Sequence, residues 1–103
     1  MAFLSSGDTH HDLALVETGQ RSEPGSLHHI AMKVGGSLQA LADVKAAVEA
    51  AGVPVHMALD HRVSQGLYVS DPDGNLIELY VDADPRIWQE DPSRMANSDP
   101  LAL

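Results

Sequence analysis

Three groups of side chains in this chain are suited to metal or proton-transfer chemistry: His10-His11, His28-His29 and Glu78. Each histidine pair stands at the mouth of an apolar run, one before Leu13-Ala14-Leu15-Val16 and the other before Ile30-Ala31-Met32. A single histidine in such a place is more often hydrogen-bonded than ligating, but two pairs in so short a chain invite a metal or a mobile proton. Glu78 lies in Leu76-Ile77-Glu78-Leu79-Tyr80, where strand alternation sends Leu76, Glu78 and Tyr80 to one face and Ile77, Leu79 and Val81 to the other. A carboxylate between two large apolar neighbours is either on a solvated sheet surface or in a cavity where partners offset its desolvation; alternation alone favours the surface. Two histidines and a carboxylate with open positions form the facial arrangement that suits non-haem Fe(II), leaving sites for a diol and oxygen. The same ligand types accept Mn(II), Zn(II), Co(II) or Ni(II), so residue identity alone does not select the metal.

These residues must be positioned by short strands and one helix. Ala2-Phe3-Leu4 and Asp12-Leu13-Ala14-Leu15-Val16, separated by Ser5-Ser6-Gly7-Asp8, read as two strands joined as a hairpin. Residues 18–26 are polar with Gly and Pro and read as a loop, and 27–34 alternates as a strand with His29, Ala31 and Lys33 on one face. Ser37 is an N-cap ahead of Leu38, Leu41, Val44, Ala47 and Val48, whose spacing marks an amphipathic helix that Gly52 closes and Pro54 keeps from continuing. Strands follow at 53–57 and 66–70, and the turn Asp71-Pro72-Asp73-Gly74-Asn75 leads into a last one at 76–81. The order is ββ and then βαβββ, an α+β fold. Past Asp82 the chain is rich in Asp, Pro and Ser, with Ile87 and Trp88 as isolated anchors for a short helix or tail, so residues 83–103 are expected to form a C-terminal arm.

At 103 residues the chain holds one domain at most, in the size range where association adds stability. Apolar residues make up 44% and charged residues 20%, which is a folding composition and not that of a disordered chain. The net charge of −9 and the lack of a basic stripe argue against nucleic acid as a partner. Without cysteine there is no disulfide or thiolate chemistry, so any metal sits on histidine and carboxylate. No signal-peptide pattern and no run near the ~20 apolar residues of a membrane span is legible, so no membrane contact and a cytoplasmic location are expected.

Three stretches taken together resemble a known family: Phe3-Leu4-Ser5-Ser6-Gly7-Asp8-Thr9-His10-His11-Asp12-Leu13-Ala14-Leu15; Leu27-His28-His29-Ile30-Ala31; and the run from His61 through Tyr68 and the DPDGN turn to Tyr80. In this order they resemble the C-terminal, catalytic part of type I extradiol catechol dioxygenases, within the vicinal-oxygen-chelate (glyoxalase, bleomycin-resistance and dioxygenase) superfamily. The DPDGN turn and IELY strand occur across glyoxalase-like proteins, whereas HHDLAL and LHHIA point toward dioxygenases. The resemblance implies a partial domain over residues 1–82, with a glyoxalase-like βαβββ module at 27–82 preceded by two strands.

By that resemblance His29 and Glu78 are metal ligands, with Fe(II) first among the divalent ions. His11 handles protons as the catalytic acid/base, Tyr68 stands beside it as a catalytic residue, and His28, His61 and Gln65 line the substrate. Gln65 departs from the pattern, since many relatives carry a histidine there. The family pairs two modules in one sheet and takes its first metal histidine from the other module, so a second chain is expected to complete the site, most simply as a homodimer. The implied activity is metal-dependent ring cleavage of a catecholic small molecule. Glyoxalase I-type lyase or isomerase chemistry is the alternative, since a twofold would bring together two copies each of His29 and Glu78. A metal-free binding protein of the bleomycin-resistance kind is the third reading, and an acidic chain would suit a cationic ligand.

Overall fold

Helix α1 (Leu38–Ala50) starts where the Ser37 side chain accepts the Ala40 amide at 3.1 Å, the N-cap contact its sequence calls for. It ends at Ala51 and Gly52, whose φ of +78° suits glycine and lets the Val53 amide reach the Val48 carbonyl at 2.9 Å. Leu41, fully buried, is the helix's main anchor, with Ala40 and Val48 packed beside it. The computed structural model describes residues 2–5, 7, 10–11, 13–15, 17, 27–86, 89 and 98–103. The expected loop at 18–26 and the anchors Ile87 and Trp88 lie outside them.

Beneath the helix lies a five-stranded sheet of β3 (Ile30–Gly35), β4 (Val55–Asp60), β5 (Ser64–Ser70), β6 (Leu76–Asp82) and β7 (Asp99–Pro100), in the order β3-β6-β5-β4-β7. Strands β3 and β6 are parallel and the other pairs antiparallel. The fold is therefore α+β with one main helix and a mixed sheet, as the βαβββ reading expects. Register divides the two faces. Leu67 pairs with Leu79, Val69 with Ile77 and Gln65 with Val81 on the helix side; Tyr68 pairs with Glu78, Gly66 with Tyr80 and Ser64 with Asp82 on the other. Leu41, Leu67, Val69 and Val81 form the core between helix and sheet, each large side chain contributing about 1.5–3 kcal/mol.

Strand limits shift from the sequence expectation because neighbours recruit flanking residues. Ser64 and Gln65 join β5 by pairing with Asp82 and Val81, and β4 runs to Asp60 by pairing with Gln65. Strand β3 begins at Ile30, which leaves His28 and His29 just before it. The C-terminal segment was expected as an arm or tail. Its tip lies on the sheet, where β7 pairs with β4 and Leu101 packs against the core, its amide bonded to the Ala58 carbonyl at 3.0 Å. Pro100 is tolerated because β7 is an edge strand.

The expected hairpin is β1 (Ala2–Leu4) against β2 (Leu13–Leu15), antiparallel and forming a sheet of its own. Its register puts Leu4, Leu13 and Leu15 on one face, each about half exposed, while Phe3 and Ala14 turn the other way and are half-buried. No described helix is long and apolar enough to cross a membrane.

Candidate functional site

The sheet face away from α1 carries the chemistry. On β6 the same-face series is Leu76, Glu78, Tyr80 and Asp82, and the parallel partner β3 sets Ala31 against Glu78 and Lys33 against Tyr80. Glu78 is only 8% exposed, so the solvated-surface reading of its alternation is corrected: it is a buried carboxylate with partners. His29 Nε2 lies 3.5 Å from Glu78 Oε1, and His61 Nε2 lies 3.4 Å from Oε2. Tyr68 lies opposite Glu78 on β5, and its hydroxyl stands 2.9 Å from His61 Nε2. The edges of the His29 and His61 rings meet Tyr68, with centroids 5.8 and 6.3 Å away.

Local structure explains each placement. His61 opens the tight β4–β5 link, in which the Val63 amide reaches the His61 carbonyl at 2.9 Å and Arg62 is left-handed at φ +68°. Asp60 braces that turn by accepting the Arg62 amide at 2.8 Å. The returning C-terminal segment adds Ser98, whose hydroxyl is 3.0 Å from His61 Nδ1. His28 holds the far side of the His29 ring, Nδ1 to Nδ1 at 2.5 Å, while itself remaining exposed. Room for the carboxylate comes from Gly66, where any Cβ would fall 2.2 Å from Glu78 Oε2.

Electrostatics settle the protonation states. Burial raises Glu78, but hydrogen bonds from His61 and Tyr68 and positive charge at His61 and His29 override it and leave the carboxyl below its ordinary value. Burial holds His29 below the ordinary histidine value, against the pull of Glu78. Tyr68 is pushed well above the usual tyrosine range by burial and by the Glu78 charge, so its hydroxyl keeps its proton. At neutral pH the set is thus a carboxylate, a neutral imidazole and a phenol donor.

A second group shares this face further along β6. His10 is buried, with Nε2 2.7 Å from Asp82 Oδ1 and Nδ1 2.6 Å from His11 Nδ1. Lys33 reaches the other Asp82 oxygen at 3.0 Å, and Phe3 from the hairpin meets the His11 ring edge-on at 4.7 Å.

The model of the Glyoxalase/Bleomycin resistance protein/Dioxygenase superfamily matches residues 1–79. The chain belongs to this superfamily. Among curated relatives, catechol-2,3-dioxygenase of Bacillus subtilis (strain 168) is 59% identical over 32 residues, covering 31% of this chain and 11% of that protein. Biphenyl-2,3-diol 1,2-dioxygenase 2 of Rhodococcus globerulus is 30% identical over 87 residues, covering 80% of this chain and 45% of that protein. The chain therefore spans under half the length of either relative. No solved structure matches it significantly.

For a superfamily that includes metal-using enzymes, the donor set can be tested directly. His29 and Glu78 have the donor types and protonation states that a divalent ion requires, and their 3.5 Å separation suits two ligands of one ion. Among the described residues no group of three His, Cys, Asp or Glu is arranged to hold a metal ion. The pair supplies two donors of the right type.

Of the residues singled out from sequence, His28, His29, His61, Tyr68 and Glu78 come together. His11 lies on the same face with His10 and Asp82, roughly 13 Å of strand separating Glu78 from Asp82. Gln65 is not brought to the site: its register with Val81 puts it on the helix side, where its amide donates to Asp60 at 3.2 Å. Sequence reasoning missed Gly66, Ser98 and Asp82, and named His10 within the His10-His11 pair without giving it a role of its own. Only His10 had a signal, as the neighbour of His11; Asp82 is 72 residues from it in the chain.

Proposed function

We propose that the chain is an extradiol-type, metal-dependent ring-cleavage protein acting on a catecholic small molecule. His29 and Glu78 would hold a divalent ion, Fe(II) first. The observation that carries this is the convergence of His29 Nε2 and His61 Nε2 on one buried carboxylate, with Tyr68 paired opposite it. The relatives' names support the substrate class, since catechol and biphenyl-2,3-diol are both aromatic vicinal diols. When bound, such an ion supplies an anchor for both diol oxygens and a route for electrons to dioxygen.

The chain's own residues do the rest. Tyr68 stays protonated and offers a hydrogen bond beside the ligand pair, and His61, held between Ser98 and Tyr68, orients polar substrate atoms. His28 fixes the His29 ring from behind. By the resemblance His11, on the same sheet face toward Asp82, is the acid/base candidate for the diol proton.

A second copy of the chain completes the coordination. Among the described residues β3 is an edge strand of the sheet, and Ile30 and Met32 on it are 48% and 53% exposed. The test is metal content and oxygen uptake with catechol for the protein purified without chelator, alongside His29→Ala and Glu78→Ala, with solution mass measured in parallel. Iron or manganese lost in both variants, in a dimer that consumes oxygen, supports the reading. Zinc, nickel or cobalt would move it to glyoxalase-type chemistry, and no uptake of added Fe(II) would move it to a binding protein.

A further inference from the structure

His10 is a buried histidine that the chemistry proposed above does not use, and its two ring nitrogens are both committed. Nε2 lies 2.7 Å from Asp82 Oδ1 and Nδ1 lies 2.6 Å from His11 Nδ1. A carboxylate only accepts, so the proton of a neutral His10 sits on Nε2. Its Nδ1 is then the acceptor, and at 2.6 Å His11 must donate from its own Nδ1. A neutral imidazole carries one proton, so the lone pair of His11 is placed on Nε2. Lys33, on the second oxygen of Asp82 at 3.0 Å, fixes the orientation of that group.

We infer that Asp82 is a positioning residue which, through His10, sets the tautomer of His11 so that Nε2 is its basic nitrogen. The relay runs from Lys33 through Asp82 and His10 to His11 and joins β3, β6 and the segment preceding β2. When His11 Nε2 accepts a proton, the Nδ1–H bond to His10 persists and Asp82 stabilises the new positive charge at one remove. The inference rests on the reading of His11 as the acid/base, but its test needs neither substrate nor metal.

The experiment is long-range proton–nitrogen NMR correlation on histidine-labelled full-length protein near pH ~8.5, where ordinary histidines are neutral. The expected result is His10 with its proton on Nε2 and His11 with its proton on Nδ1. In Asp82→Asn the amide can donate to His10 Nε2, so His10 and His11 should both reverse or become mixed, while Asp82→Glu should restore the wild-type pattern. Lys33→Met should leave both tautomers in place. A wild-type His11 protonated on Nε2 would overturn the inference without any variant. So would a folded Asp82→Asn protein whose His11 tautomer is unchanged. A relay that is found in a protein that neither binds metal nor turns over catechol would refute the proposed function and leave the relay standing.

Discussion

Gly66 and Glu78 share one space: the Glu78 carboxylate fills the place where a side chain at residue 66 would begin, 2.2 Å from an ideal Cβ. Both lie on the sheet face opposite α1, Gly66 on β5 and Glu78 on β6. A methyl group there must displace the carboxylate, whose Cδ and Cγ are also within 3.0 and 3.1 Å. Gly66→Ala is therefore expected to cost about 1–3 kcal/mol and to move Glu78 away from His29 and His61. Denaturant unfolding reads the first effect, and Fe(II) uptake by the still-folded variant should fall at least as far as in Glu78→Ala. Unchanged stability and uptake would show that the carboxylate does not sit over Gly66.

Tyr68 contributes a donor to a buried charge, and burial together with Glu78 keeps that donor protonated through the neutral range. Tyr68→Phe keeps the ring against His29 and His61 and removes only the hydroxyl. The expected loss is about 1–3 kcal/mol in metal-free protein, seen as a lower urea midpoint with an unchanged slope. A midpoint equal to that of the wild type would sink the proposed hydrogen bond to Glu78.

The DPDGN turn supplies a pH dependence that is separate from the site. Asp71 is held below its ordinary value of 3.8, chiefly by the Asn75 side-chain amide and then by the backbone amides of Asn75, Asp73 and Gly74. A depressed carboxyl stabilises the fold above its unfolded value and loses that contribution as pH falls through the folded one. Asp71→Ala should thus be less stable than wild type at neutral pH, with the gap closing below about pH 3.8. A gap that stays constant down to acid unfolding would exclude these hydrogen bonds as the cause.

Arg62 adopts φ +68°, a left-handed conformation in which a side chain is disfavoured. Its backbone amide donates to Asp60 Oδ1, a bond that needs nothing of the Arg62 side chain and survives substitution. Arg62→Gly is expected to raise stability by up to about 1 kcal/mol, measured as an increase in unfolding midpoint. A loss of stability would mean that the Arg62 side chain makes contacts that outweigh the relief of backbone strain.

What sequence determined by itself was local. Ser37 and Gly52 mark the ends of α1 because capping depends on a few consecutive backbone groups, and alternation separates Glu78 from Ile77, Leu79 and Val81 because strand geometry has a period of two. Residue order and type also carried the resemblance that singled out His29, Glu78, His11, Tyr68 and His61. Packing decided the rest. Alternation could not tell a solvated Glu78 from a buried one, because burial depends on Tyr68, His61 and His29 arriving from other segments. Register turned Gln65 toward α1, and the return of the C-terminus brought Ser98 to His61. Asp82 reaches His10 across 72 residues, a contact set by strand pairing and by where the β1–β2 segment lies, which no local pattern encodes.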